Sequence, residues 1–295
     1  MPTTKPIFDP FFRFAARAPL NIAPERGDQL TEEIFKSGKW QLLPSEEPAN
    51  FFAVPQDKAL YLSYAGLASL WCVAHAAFTV ADIASRHQRA DKRPGQTEIN
   101  IGEECAAEKI SEYVAYAKEL IRADKDWPSH LPVPSLSPSF DTPEGRVNNV
   151  FYGALSWILL HEIAHVHHGD QKLIPGSLLV RQEYLADDFA TRWILDEAGA
   201  GLYREFRMLM IVVALTWMFL QEETVGPGSD HPATILRFRD ATAQFQMGDR
   251  SVGLENAAYV LKALLDPSTP APQFDTSAEV FEWVSSRLEI LFPAT

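Results

Sequence analysis

The chain has 295 residues, with 26 basic and 39 acidic side chains, so its formal net charge is −13 at pH 7. This acidic balance argues against a nucleic-acid-binding protein, which would show a basic stripe. The sequence also lacks a polybasic patch that could bind a membrane surface. The two cysteines, Cys72 and Cys105, form neither a ligand cluster nor a disulfide framework. We therefore expect a reducing compartment such as the cytoplasm. Residues 2–17 mix prolines with charged residues and do not resemble a secretory signal.

Short elements are predicted for the N-terminal part of the chain. The TEEIF sequence at 31–35 indicates one or two helical turns. Segments 51–54 and 59–64 predict a small β-hairpin, because each is a short apolar or aromatic run beside a turn that contains proline. From Gly66 onward the periodicity is helical, and a second helix is predicted over about 103–122.

Segment 61–81 has no Asp, Glu, Lys or Arg, and it is long enough to span a bilayer. It contains Ser63, Ser69 and His75 and lacks a basic flank, which favours a buried helix in a soluble core. A lid or a membrane contact is the alternative. The apolar run at 208–220 is too short to span and predicts a core helix.

Five prolines interrupt segment 126–144, and no regular element is expected at that density. This segment is either a domain linker or a loop that wraps a single domain, and we favour the loop. The predicted organisation is an N-terminal region at 1–125, a proline-rich loop at 126–145 and a helical core at 146–295. The three parts could form one integrated domain.

The C-terminal part is predicted to be almost entirely helical. Gly169 is a normal C-terminal signal for the first of these helices, and Thr276 with Glu279 forms a capping box before the last. The predicted helices cover about 146–168, 178–197, 202–222, 232–246, 253–265 and 278–292.

The sequence WILLHEIAHVHHGD at 157–170 holds four of the eight histidines. His161, Glu162 and His165 form an HExxH motif. Histidines four apart share one helix face, so both imidazoles can reach one metal ion, while Glu162 flanks that face and can act as a base. The motif alone is a moderate signal. A purely structural zinc site would have no use for an unligated glutamate beside the ligands.

The third metal ligand is expected on the next helix. Metzincins would need a glycine and a histidine where this chain has His168 and Gln171, so that class is excluded. Gluzincins take a glutamate from a later helix, and Glu183 fits. Asp187 is four residues further along and can accept the second ring N–H of a ligand histidine. The alternative is that both carboxylates belong to an ordinary solvated helix face.

The segment Asp230-His-Pro-Ala-Thr-Ile-Leu-Arg237 offers two more candidates. By itself it could be an ordinary helix entry. Opposite a zinc site, His231 becomes the best candidate to stabilise the oxyanion of peptide hydrolysis, with Arg237 bracing the helix or the carboxylates. His167 and His168 are predicted to be local helix-end residues.

The chain resembles the Lit-type phage-exclusion peptidases in three places: WILLHEIAHV at 157–166, Glu183-x-x-Ala-Asp187 running on through ATRWIL at 190–195, and His231-Pro-Ala-x-x-x-Arg237. PLNIAPE at 19–25 and Trp127-Pro128 are weaker similarities. The chain departs from the family pattern at 167–170, which affects the rim of the site. The same three-part core is similar to that of HtpX-like peptidases, which are membrane proteins.

The resemblance implies a cytoplasmic bacterial antiviral zinc protease, and the founding activity of the family is cleavage of translation elongation factor Tu during phage infection. We therefore expect a mainly α fold with a gluzincin-like metallopeptidase core and a small N-terminal β-hairpin. One Zn²⁺ ion, a protein substrate and a phage-derived activator are expected, and no nucleic acid. The alternatives are a non-catalytic zinc-stabilised regulatory or interaction module and a membrane-bound HtpX-like peptidase.

Overall fold

The computed structural model of the protein is mainly helical, as predicted, and carries one small sheet near the N-terminus. The structure describes residues 4–32, 40–90, 102–136, 139, 141–170, 175–226, 231–246 and 248–294, with side chains to residue 86 in the second range. The helices are α1 (Thr4–Ala15), α2 (Ala18–Ile22), α3 (Gly27–Gln29), α4 (Tyr64–Ala90), α5 (Gly102–Ala107), α6 (Ile110–Arg122), α7 (Pro143–His168), α8 (Gly176–Leu195), α9 (Leu202–Val225), α10 (Thr234–Thr242), α11 (Val252–Leu265) and α12 (Ser277–Leu291). The strands are β1 (Gln41–Ser45), β2 (Phe51–Val54) and β3 (Ala59–Ser63).

The sheet contains the predicted hairpin and one additional strand. Strands β2 and β3 pair antiparallel, with Phe51 opposite Leu62, and β3 ends one residue earlier than expected because Tyr64 already belongs to α4. Strand β1 was not predicted. It pairs in parallel with β3 at the edge of the sheet, where Pro44 is tolerated because an edge strand leaves half its backbone groups unpaired.

Helix α4 confirms the prediction of a buried helix, and it packs against α6, α7 and α11. Ser69 on this helix donates to the carbonyl of Ala117 at 3.0 Å and accepts from Trp217 Nε1 at 2.9 Å, and the His75 ring stacks on Tyr113 with centroids 4.1 Å apart, although its Nδ1 atom is buried without a hydrogen-bond partner among the described residues. Internal hydrogen bonds such as those of Ser69 help a helix that is apolar all round to lie in a protein core.

Within the described residues, two helices are long and apolar enough to cross a membrane by length and composition alone. They are Tyr64–Arg86, part of α4, and Leu202–Val225, which extends the apolar run at 208–220 to 24 residues. Their most apolar windows are 78% and 67% buried inside the protein. Core helices of soluble proteins pass the same test, so this finding is weak support for a membrane contact.

The helix predicted over 103–122 is in fact two helices, α5 and α6. The break lies at Lys109, whose backbone φ of +57° is left-handed and cannot continue a right-handed helix. No glycine or proline marks this break, so it could not be predicted from the residue types.

The proline-rich segment is largely irregular, as expected, but it ends earlier than predicted. The Thr142 side chain accepts a hydrogen bond from the Gly145 backbone at 3.1 Å and caps α7, which therefore begins at Pro143 instead of Arg146. A single hydrophobic cluster includes side chains from both sides of this segment. The domain boundaries at 125 and 145 stay a prediction.

The helices after α8 follow the predicted order, and the capping box of Thr276 and Glu279 at the start of α12 is present. Helix α10 is shorter than the predicted 232–246, because the chain turns after Thr242. The backbone amide of Thr234 donates to the Glu222 carboxylate at 2.7 Å, which anchors the start of α10 on α9.

Three arginines hold the C-terminal end of α8. The Arg26 guanidinium contacts the backbone carbonyls of Arg192 and Trp193. Arg207 donates to the carbonyl of Ile194 at 2.9 Å, and Arg204 donates to that of Leu195 at 2.8 Å. Glu25 accepts from Arg207 in turn, at 2.8 Å for the Oε2 contact. Cations favour the negative end of the helix dipole, so these side chains fix α8 from the segment before the sheet and from α9.

Candidate metal centre

Helices α7 and α8 pack against each other and bring the HExxH motif next to the predicted third ligand. Trp157 on α7 donates its indole N–H to the Thr191 hydroxyl on α8 at 3.0 Å. The Trp157 ring also stacks on the imidazole of His161, with ring centroids 5.9 Å apart. These buried contacts fix the relative position of the two helices one turn away from the site.

The candidate ligand atoms converge at one point. His161 Nε2 and His165 Nε2 lie 3.1 Å apart, and the two oxygens of Glu183 lie 3.3 Å and 3.4 Å from them. One ligand atom from each residue can be chosen so that all three lie within 4.8 Å of one another. The structure thus brings together the three residues that the sequence singled out as metal ligands.

The chemistry of this group fits a zinc ion. Two imidazole nitrogens and one carboxylate are a donor set that zinc accepts, with room for a further ligand. Glu183 Oε2 is buried and has no hydrogen-bond partner among the described residues, since its 3.3 Å contact with His161 Nε2 lacks hydrogen-bond geometry. A buried carboxylate oxygen without a partner is costly unless a cation occupies the position in front of it.

Asp187 and Arg237 form a buried network behind His161. Asp187 Oδ1 lies 2.9 Å from His161 Nδ1, and Arg237 donates to both oxygens of Asp187 at 2.7 Å. Arg237 Nη1 also lies 3.8 Å from Glu183 Oε2. With Nδ1 directed at Asp187, the Nε2 atom of His161 faces the convergence point.

Asp170 was not singled out by the sequence analysis. Its Oδ2 atom lies 2.8 Å from His165 Nδ1, so the second histidine also has a carboxylate partner. The segment 167–170 was recognised only as a departure from the family pattern. The available signal was an acidic residue directly after the glycine that ends a histidine-bearing helix.

Glu162 lies beside the ligands, is 8% exposed, and accepts no hydrogen bond from the described residues. Burial raises the pKa of its carboxyl, which makes it a stronger base than an exposed glutamate.

His231 lies on the segment before α10, with its side chain 56% exposed and its Nε2 atom 3.7 Å from Glu183 Oε1. It therefore borders the site from the solvent side.

The electrostatics of the site favour a positive charge. Burial opposes protonation of His161, but its contacts with Asp187 and Glu183 outweigh that effect and raise its pKa from 6.5 to about 10. Burial likewise opposes ionisation of Glu183, yet the two histidines and Arg237 hold its pKa well below the usual range. A centre that attracts protons so strongly in the absence of metal is suited to a dication.

The remaining candidates lie away from the convergence point. His167 and His168 are at the end of α7, where their rings lie 6.2 and 5.9 Å from that of Phe189. The Asp188 side chain is 45% exposed and pairs with Arg192 at 2.9 Å.

Comparison with known proteins gives two matches. A model of the family described as Peptidase U49 matches residues 60–257, more than half of the chain and a span that includes every candidate site residue. The "Cell death peptidase" of Escherichia coli (strain K12) is 23% identical over 185 residues, which are 60% of this chain and 60% of that protein. The match thus covers less than two thirds of the relative. No solved structure matches the chain.

Proposed function

The chain belongs to the peptidase U49 family, and we propose that it is a zinc-dependent endopeptidase of the HExxH type with a gluzincin-like ligand set. One observation carries the proposal. The Nε2 atoms of His161 and His165 converge with the Glu183 carboxylate, while both Nδ1 atoms are taken by other carboxylates. This arrangement leaves three metal-binding atoms directed at one point, with Glu162 beside them.

In this proposal His161, His165 and Glu183 hold a single Zn²⁺. When bound, the ion supplies Lewis-acid polarisation of a carbonyl group and lowers the pKa of water. Asp187 keeps His161 in the tautomer that presents Nε2, and Arg237 holds Asp187 in place through two hydrogen bonds.

Glu162 carries the proton. Its carboxylate takes a proton from the attacking water as the new carbon–oxygen bond forms, and it returns that proton to the leaving nitrogen as the peptide carbon–nitrogen bond breaks. Its burial supports both steps, because a raised pKa brings the carboxyl closer to neutral pH. His231, on the open side of the site, donates a hydrogen bond to the carbonyl oxygen as negative charge develops there.

We further propose a role in bacterial anti-phage defence in the cytoplasm, with an elongation factor Tu-like protein as substrate. Support comes from the resemblance to Lit-type peptidases and from the similarity to a cell death peptidase. The activity of a protease in the cytoplasm must be limited so that it does not degrade other cellular proteins. We propose that a narrow substrate range, or activation by a phage-derived factor, supplies this limit.

The decisive experiment compares newly formed protein N-termini in bacteria that express the wild type, Glu162→Gln or Glu144→Gln, before and after phage infection. Glu144 is exposed at the start of the same helix and is the matched control. Wild type and Glu144→Gln should produce the same few cleavage products. Glu162→Gln should cleave roughly two to four orders of magnitude more slowly, the usual loss for a general base.

Metal content of the three purified proteins completes the test. All three should hold zinc, because glutamine at 162 removes a base and leaves the ligands intact. Zinc binding with no cleavage by the wild type, infected or not, would favour the non-catalytic zinc-stabilised module. Broad digestion of an unrelated unfolded protein would contradict the narrow substrate range, and recovery in the membrane fraction would favour an HtpX-like enzyme.

A further inference from the structure

The turn that ends helix α7 brings Asp170 back into contact with His165, the second histidine of the HExxH motif. The backbone amide of Asp170 donates to the carbonyl of His165 at 3.0 Å, and that of Gly169 donates to the carbonyl of Val166 at 3.3 Å. This is a Schellman motif, in which Gly169 adopts a left-handed φ of +67°. The turn places the Asp170 carboxylate 2.8 Å from His165 Nδ1. Asp170 therefore binds His165 through both its backbone and its side chain.

We propose that Asp170 is a positioning residue that holds the His165 imidazole with Nε2 toward the metal and increases its donor strength. This inference rests on the proposed zinc-peptidase function. A carboxylate on the far nitrogen of a ligand imidazole fixes the ring and the tautomer and makes the ligand more basic. Asp187 is placed to do the same for His161, so each ligand histidine has its own carboxylate.

The two carboxylates differ in charge balance. Arg237 donates twice to Asp187 and offsets its charge. Asp170 forms no ion pair with a lysine or arginine of the described residues, which leave out 171–174. Asp170 is also well shielded, with its side chain 16% exposed. Among the described residues its side-chain hydrogen-bond partner is His165, and its negative charge also acts on His168, where it opposes the lowering of the pKa by burial.

Helix stability does not explain an acidic residue at this position. The C-terminal end of a helix carries partial negative charge, so a carboxylate there is unfavourable, and cations are preferred. A role in the turn alone predicts unchanged zinc affinity in Asp170→Asn, whereas the positioning role predicts weaker zinc binding at unchanged stability, which makes the two roles separable.

The test is Asp170→Asn, with Asp196→Asn as the matched control. Asp196 follows the end of α8, just as Asp170 follows the end of α7, and it is exposed. It lies 13 residues beyond Glu183, about 20 Å along the helix axis. Zinc affinity is measured by competition with a chelating dye, and thermal unfolding of the metal-free proteins is measured alongside.

Asp170→Asn should bind zinc about 10–100-fold more weakly, the usual loss when a carboxylate behind a ligand histidine is removed. Its metal-free form should unfold at the wild-type temperature or slightly above it. Asp196→Asn should match the wild type in zinc affinity.

Three results would overturn the inference. They are unchanged zinc affinity in Asp170→Asn, an equal loss in the control, and a metal-free Asp170→Asn protein that unfolds at a clearly lower temperature or does not fold. The last result would assign Asp170 to the turn. A wild type that binds no zinc would refute the proposed function instead, so the two failures are distinguishable.

Discussion

Replacing Arg237 by methionine tests the network behind the metal centre. Methionine keeps much of the length of the side chain and removes its charge and all its donors. Arg237 is 6% exposed, makes two 2.7 Å hydrogen bonds to Asp187, and lies 3.8 Å from Glu183. The substitution removes the guanidinium from two buried carboxylates and leaves them the ligand histidines as partners, a much larger perturbation than the loss of a surface charge.

The expected magnitude follows from this burial. Removing one partner of a buried ion pair destabilises a protein by about 3–5 kcal/mol, because the other charge remains desolvated. Arg239, two residues further along α10, is the matched control. Its side chain is 61% exposed and lies 3.6 Å from the half-exposed Glu289, an arrangement that contributes about 0–1 kcal/mol.

The assay is thermal unfolding of the metal-free wild type, Arg237→Met and Arg239→Met. At about 2–4 °C for each kcal/mol, Arg237→Met should lower the midpoint by about 6–20 °C and Arg239→Met by at most about 4 °C. Zinc binding by Arg237→Met should persist, since Asp187 keeps its contact with His161. Equal shifts in the two variants would refute the argument that the buried pair dominates.

Two further predictions concern the metal ligands and the start of α7. Glu183→Ala should lose zinc in a dye-competition assay while Asp188→Ala retains it, because only Glu183 faces the histidines; the reverse order would mean that the ligand assignment is wrong. Gly145→Ala should destabilise the protein by about 1–3 kcal/mol in chemical denaturation, since the added Cβ would lie 1.8 Å from the Ser139 carbonyl oxygen. Gly176→Ala, whose added Cβ would meet no packing neighbour within 4 Å in the described part of the chain, is the control and should be close to neutral.

The core of the site could be predicted from sequence because helical geometry determines it. His161 and His165 are four residues apart, and so are Glu183 and Asp187, so each pair shares a face of its helix. The contact between the two faces needed only one helix to fold back on the other. Asp170 could not be assigned in this way, because its position depends on a turn that ends one helix and not on a helical repeat.

The parts of the fold that the sequence did not reveal depend on long-range pairing or on unusual backbone conformations. Strand β1 contains Pro44 and has little apolar alternation, and it exists because β3 offers it an edge. The break between α5 and α6 depends on the left-handed backbone conformation of Lys109, which the residue types around it do not predict. Helices α4 and α9 were easier to predict, because each contains a long apolar run without charged residues, at 61–81 and 208–220.

The arginine contacts at the end of α8 determine how much of the chain a minimal expression fragment must contain. Glu25 and Arg26 lie before the start of the 60–257 family match, yet they hold the helix that carries Glu183 and Asp187. A fragment cut at the family boundary, or at residue 146, would keep every candidate ligand. It would lose Arg26 altogether and leave Arg207 without its carboxylate. The shortest fragment that keeps these contacts to the helix carrying the candidate ligands therefore begins at or before residue 25.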